Sequence, residues 1–176
     1  KPYILAPPPA DGSKVIITDT DHLWGIGGNR KWVWKSFTRG LHPIFMDPLE
    51  PLVAAREREN NRGDWPEYVQ IRRNMGFTRA FALRMDLAAT VPDTTVASTG
   101  YCLVSRAVGR EELLAYLPDG GKVDVDLGGI DGNLAAEWFD PSSGSTADRF
   151  ELTGGEKTRL AAPFGGHAVL FIFRQQ

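Results

Sequence analysis

Lys122-Val-Asp-Val-Asp-Leu127 alternates apolar and charged residues without a break. A period of two marks a strand with one face in a core and the other in water. Short runs of similar character lie on both sides of it. Residues 101–105 and 111–117 precede it; 134–139, 149–152, 158–161 and Ala168–Phe173 follow. Turn signals separate the runs: Pro118-Asp-Gly-Gly121, Asp131-Gly-Asn133, Pro141-Ser-Ser-Gly144, Gly154-Gly155 and Gly165-Gly166. Seven strands at a spacing of ~8–12 residues read as a small antiparallel β-sandwich.

The chain before Pro92 has another rhythm. Lys14-Val-Ile-Ile-Thr18 is β-branched throughout, as in a strand buried on both faces of a parallel sheet. A Gly-rich loop ends at Gly28, and Asn29 is placed to cap a helix over 30–39. Trp32, Val33, Ser36 and Phe37 share one face of that helix, and Gly40 stops it. Pro43-Ile-Phe-Met46 is a second strand, so strand, helix and strand make a βαβ unit. Residues 49–64 are polar and loop-like, with Arg56-Glu-Arg-Glu59 as a solvated face. Asp64 and Pro66 then open an amphipathic helix to about residue 89, weakened at Gly76. Charge divides in the same place. The chain carries +3 through Thr90 and −5 beyond it, which gives the net −2.

Several function classes are excluded. At 176 residues the chain is too short for a whole (β/α)₈ barrel, which takes roughly 250. Its near-neutral balance argues against a nucleic acid as the main partner. The longest apolar run, Ala168–Phe173, is far below the ~20 residues of a membrane-spanning helix, so no membrane partner is expected. One cysteine, Cys102, permits neither an internal disulfide nor a Cys-rich zinc site, and it reads as an inert core thiol. Nineteen Gly and 12 Pro imply many turns. The chain opens at Lys1 with neither an initiator Met nor an apolar leader. That fits either a removed leader or a piece of a longer protein.

The segment richest in possible chemistry is Thr18-Asp-Thr-Asp-His-Leu-Trp-Gly25. It begins at the C-terminal end of a strand, where βα loops converge in α/β folds. Asp19 and Asp21 are two apart, and Asp47 ends the neighbouring strand. With His22 and Trp24 they would gather at one mouth. Glycoside hydrolysis needs two carboxyl groups about 5–9.5 Å apart, commonly with rings that stack on sugars. The same aspartates also suit amide capping, and Asp-x-Asp-His is a third option as a divalent-metal site. Neither a metal nor a cofactor enters the preferred reading. Trp32 and Trp34 read as helix packing, His42 as packing at a strand start, and His167 as a turn residue. Trp138 and Phe139 read as core, with one of the pair open to a binding face.

The stretch from Lys14 to Gly28, with Trp32-Val-Trp-Lys-Ser-Phe37, Arg39-Gly40 and Pro43-Ile-Phe-Met-Asp-Pro48, resembles the end of the catalytic domain of apiosidase-like glycoside hydrolases. Arg73-Asn-Met-Gly76 and Arg84-Met85 resemble its closing helix. The rest resembles the β-sandwich family named for collagen binding in a collagenase. The residues concerned are Ser98-Thr-Gly-Tyr-Cys102, Tyr116-Leu-Pro118, Val125-Asp-Leu127, Glu137-Trp-Phe-Asp-Pro141, Ser143-Gly144 and Ala162-Pro-Phe-Gly-Gly166.

The resemblance implies a fold of an α/β barrel remnant, residues 1–91, followed by an antiparallel β-sandwich, residues 92–176. It implies a carbohydrate substrate, an extracellular or periplasmic setting, and an upstream barrel segment of the same protein as partner. Only the last two barrel strands and helices would be present. The strand supplying the acid/base carboxylate would lie upstream, with Asp19 or Asp21 near the nucleophile-side position. The expectation is a C-terminal fragment of a glycoside hydrolase, inactive by itself. The rival is a non-catalytic carbohydrate- or matrix-binding module, which would show exposed coplanar rings from Tyr101, Tyr116, Trp138 or Phe164.

Overall fold

A computed structural model describes residues 5–19, 29–46, 66–147 and 149–175. β1 (Ile17–Asp19), α1 (Arg30–Phe37) and β2 (His42–Ile44) come first, with β1 and β2 pairing in parallel. The βαβ unit read from the sequence is therefore present, with shorter strands than the apolar runs suggested. Ile17 pairs with His42 and Asp19 with Ile44. Asn29 caps α1 through its side chain, which accepts from the Trp32 amide at 3.0 Å.

α2 (Pro66–Arg84) follows. It ends five residues before the expected stop at 89. The Asp86 amide donates to Glu112 Oε2 at 3.0 Å instead of extending the helix. A 3₁₀ turn, Leu87–Ala89, then leads to β3 (Val91–Pro92).

The remainder is antiparallel. β4 (Cys102–Ser105), β5 (Glu112–Leu117), β6 (Lys122–Asp126), β7 (Asn133–Asp140), β8 (Ser145–Thr146), β9 (Phe150–Thr153), β10 (Lys157–Ala161) and β11 (Ala168–Phe173) include all seven runs read from the sequence. β3 and β8 are two-residue strands, too short to leave a periodic signal. A seven-stranded sheet runs β3-β4-β5-β11-β7-β8, with β9 also on β7. β6 and β10 form a separate pair. The molecule is thus mostly β, with few helices, and its antiparallel sheets make a sandwich.

The two sheets pack as the alternation of β6 requires. Val123, Val125 and Leu127 enter a core with Leu113, Ala115 and Leu117 of β5, Leu170 and Ile172 of β11, and Trp138 of β7. Lys122 and Asp124 stay in water. The opposite face of the large sheet is also covered. Leu103, Leu114, Tyr116, Phe139, Val169 and Phe171 pack with Trp34 and Phe37 of α1 and with Phe81 and Met85 near the end of α2. Because both faces are buried, β5 and β11 read as continuous apolar runs rather than alternating ones.

Trp34 is the centre of the second core. It is fully buried and stacks on Tyr116 at 5.9 Å. Phe81 lies edge-on at 5.8 Å and Phe139 sits at 6.0 Å. Its indole N–H donates to Asn74 Oδ1 at 2.7 Å, and Asn74 Nδ2 donates to the Gln70 carbonyl at 2.8 Å. Trp32 and Val33 instead join Ile71 in a third, smaller core. α1 is therefore buried on two sides, not on the single face the helical spacing suggested.

One turn makes an absolute demand for glycine. Gly120 has φ +67, and an added Cβ would collide with the Gly166 carbonyl. Gly76 is the reverse case, with open space around an added Cβ and an ordinary helical backbone. Gly76→Ala should stabilise the protein by about 0.5–1 kcal/mol through helix propensity and a less free unfolded chain. Urea unfolding of the two proteins checks it, with a raised midpoint and unchanged slope as the expected outcome.

Candidate functional site

Asp19 is the last residue of β1, opposite Ile44 of β2. Alternation along a strand puts Ile17 and Asp19 on one face and Thr18 on the other. Thr18 is buried, Ile17 is 63% exposed and Ile44 is 44% exposed. Thr18 therefore faces the protein, whereas Ile17, Asp19, His42 and Ile44 share the outward face. His42 is exposed, which corrects its reading as a packed residue. Asp21, His22, Trp24 and Asp47 lie outside the described residues, so of the predicted mouth only Asp19 is placed. Among the described residues no group of three metal-ligating side chains could hold an ion.

The aromatic platform expected of a sugar-binding face is not formed. Tyr116 and Trp138 are buried in opposite cores, and Tyr101 and Phe164 are half-buried. Trp138 and Phe139 are both core, on the two faces of β7. Among the described residues every Trp, Tyr and Phe is buried or half-buried. Cys102 is a buried thiol whose pKa is pushed up by burial. That is the inert state read from the sequence.

Charged side chains fasten the inner strands of the large sheet. Glu137 sits on its helix-facing side and is 5% exposed. Arg84 reaches it at 2.6 Å, and Arg149 lies 3.8 Å away. Arg84 also lies over the rings of Phe81 and Phe171, at 5.2 and 4.9 Å. The apolar parts of the ion pair thus continue the core. Arg174 donates to Glu111 at 2.7 Å and holds that carboxyl down to about 2.

His167 is not a plain turn residue. It is 2% exposed. Nδ1 lies 3.0 Å from the Tyr116 hydroxyl and Nε2 lies 3.1 Å from Ser142 Oγ. Gly165-Gly166 hid this from the sequence, because a glycine pair before a histidine reads as a turn. The imidazole cross-links the start of β11, the end of β5 and the turn after β7. Tyr116 also stacks on Trp34, so the chain of contacts reaches the helices. A serine hydroxyl beside a histidine is the beginning of a nucleophile–base pair. Here both ring nitrogens are engaged by protein hydroxyls and the ring is sealed from water, which makes it a structural pin.

A model of the family described as "Putative collagen-binding domain of a collagenase" matches residues 90–168. No curated protein matches the chain. Among solved structures it is similar to a family 5 glycoside hydrolase from Bacteroides vulgatus ATCC 8482. The identity is 19% and the TM-score 0.61, over 82% of this chain and 35% of that one. It is also similar to a chain described as a glycoside hydrolase, at 16% identity and TM-score 0.60, over 94% of this chain and 44% of that one. The likeness is one of fold. The chain spans less than half the length of either structure.

Burial, with the Arg30 and Lys31 cations nearby, pushes His167 down to about 4, against a weaker opposite pull from Asp140. The unfolded ring titrates near 6.5. Between these values the unfolded chain binds the extra proton, so stability rises with pH and is lost as pH falls from about 6.5 towards 4. His167→Gln should flatten that part of the profile. Thermal midpoints of both proteins across the window test it; parallel slopes would show that His167 is not the group responsible.

Proposed function

We propose that the chain is the C-terminal region of a glycoside hydrolase acting on complex polysaccharide. In this reading residues 1–91 close an apiosidase-like (β/α)₈ barrel. Residues 92–176 are an accessory β-sandwich clamped against it. The observation that carries the reading is the open face of the βαβ unit. Val15 is 75% exposed, Ile17 63% and Met46 51%, beside a parallel strand pair with its crossover helix. Parallel strands occur almost only in sheets covered on both faces, and exposed apolar strands invite pairing. The missing barrel strands are the natural cover, with Asp19 then turned into the barrel at its C-terminal mouth.

The structural likeness to glycoside hydrolases supports this reading because it extends over 94% of the chain, well beyond residues 90–168. Catalysis in the whole enzyme would use one carboxyl as proton donor to the leaving oxygen. A second would act opposite the sugar's anomeric carbon. Asp19 or Asp21 is the candidate for the second role, with His22, Trp24 and Asp47 around the substrate. The acid/base carboxyl would come from an upstream strand. An exported enzyme, extracellular or periplasmic, suits a polysaccharide substrate.

Two measurements test the proposal. The 176-residue chain should show no turnover on a panel of aryl glycosides and plant polysaccharides, whereas the protein extended by its upstream coding sequence should be active. Turnover by the short chain would overturn the barrel-end reading; an inactive extended protein would overturn the glycoside-hydrolase reading. The clamp is tested separately by Trp34→Ala, which should cost about 3–5 kcal/mol. It should also speed amide exchange in β5 and β11 together with the helices. Loss of protection confined to the helices would make the sandwich an independently tethered module.

The family match favours a second reading, a matrix-binding sandwich. Retention of the chain on immobilised fibrillar collagen is its measure.

A further inference from the structure

Lys31 and Lys35 lie on α1, and Arg39 follows just past its C-cap. Four-residue spacing places the three along one side, where like charges repel, while Lys35 in the last turn complements the helix dipole. Among the described residues only Lys31 has a carboxylate partner, Asp119 at 2.8 Å. Lys35 Nζ donates to the Leu5 carbonyl at 2.7 Å, an uncharged acceptor. Both unneutralised cations are held against Tyr101. The Arg39 guanidinium lies 4.6 Å from the ring centre and Lys35 Nζ lies 5.3 Å from it. Lys122, exposed at the start of β6, lines the same cleft as Lys35 and Tyr101. Among the described residues Lys35, Arg39 and Lys122 have no carboxylate partner.

The cleft has a volume of about 360 Å³, and Lys35, Ser98, Thr99, Tyr101, Asp119 and Lys122 contribute to its walls. That volume lies within the ~300–1,000 Å³ range of small-ligand sites. The Lys35 ammonium uses one of its three protons on Leu5 and keeps two. The Ser98 hydroxyl accepts from the Asp124 amide at 3.0 Å and keeps its own proton to donate. The cleft is therefore lined by unspent donors and by two cations against one carboxylate, in a protein of net charge −2.

We propose that this cleft, between α1 and the turns before β4 and β6, is a subsite for an anionic polysaccharide. Lys35 and Lys122 bind a carboxylate or sulfate of one sugar unit, with the Ser98 hydroxyl donating to the same unit. Arg39, 4.6 Å from the centre of the Tyr101 ring, adds attraction from nearby. The site differs from the barrel mouth in place and in chemistry. Choosing a polysaccharide over other polyanions rests on the glycoside-hydrolase reading; the cationic cleft does not. A nucleic acid fits less well, because a phosphate backbone needs a long basic track and the chain beyond Thr90 carries −5.

Isothermal titration of the 176-residue chain at low salt tests the proposal. The probes are a short oligogalacturonate, its methyl ester, a dextran sulfate oligomer and single-stranded oligothymidylate. The uronate or the sulfated chain should bind saturably, and the tighter of the two identifies the anionic group. Binding should weaken with added salt and fall at least about tenfold for the methyl ester, which lacks the charge. The Lys35→Gln/Lys122→Gln double variant should lose binding to a similar extent while its circular dichroism stays unchanged. Lys157→Gln, on the outer face of the β6–β10 pair, should bind as the parent does. Equal binding of the ester, an unaffected double variant, tighter binding of the oligothymidylate, or no heat with either anionic glycan would each overturn the proposal. Binding is read here without turnover, so the subsite and the enzyme reading can fail independently.

Discussion

The indole of Trp34 is the contact on which the arrangement of helices and sheets depends. It belongs to a helix of eight residues, far too short to be stable alone in water. Its burial against Tyr116, Phe81 and Phe139 unites α1, α2, β5 and β7 in one apolar cluster. The hydrogen bond to Asn74 matters for a different reason. An indole N–H and an asparagine amide are costly to bury unless each finds a partner. Here each partners the other, and Asn74 is further anchored to the Gln70 carbonyl. Apolar packing supplies the affinity between helix and sheet, and the buried polar pair fixes how α1 sits on α2.

Burial of the central strands β4, β5, β7 and β11 on both faces follows from that contact. An antiparallel sandwich normally keeps its outer faces wet, and the β6–β10 pair does so with Lys122, Asp124, Lys157 and Arg159. The large sheet does not, since α1 and α2 cover the side that would otherwise meet water. Stripped of the helices, it would expose Leu103, Leu114, Tyr116, Val169 and Phe171 together, a patch of the kind that drives aggregation. The sandwich is therefore unlike a binding domain on a flexible tether. Its aromatic side chains are committed to cores, which is why no ring platform for sugars is found where the sequence offered four candidates.

Much of this was legible in the sequence. The alternation of Lys122–Leu127 and the glycine- and proline-marked turns located every strand longer than two residues in the sandwich. The βαβ unit followed from a β-branched run and a short apolar run around a capped helix. Other features were not legible, for physical reasons. Periodicity reports which residues of a helix are apolar, not how many partners the helix has, so Trp34 looked like one more packing residue of α1. His167 looked like part of a turn because its hydroxyl partners, Tyr116 and Ser142, are 51 and 25 residues away in sequence. The early end of α2 depends on Glu112, also distant in sequence. Of the residues expected at the barrel mouth, Asp19 alone lies among those described.

α1 also explains why the basic cleft lies where it does. Trp32 and Val33 pack with Ile71 of α2 and with Phe45, while Trp34 and Phe37 pack on the sandwich. With two sides buried, one narrow strip remains for water, and the sequence places Lys31, Lys35 and Arg39 along it. A strip needed only for solubility could alternate in sign, since mixed charges at four-residue spacing would support the helix. The run of three cations forgoes that pairing. Among the described residues only one of them has a carboxylate partner, an aspartate in the β5–β6 turn. The helix tolerates this repulsion because Trp34 already fixes it to the sheet. Packing supplies the stability that leaves the exposed strip free to carry charge for a ligand.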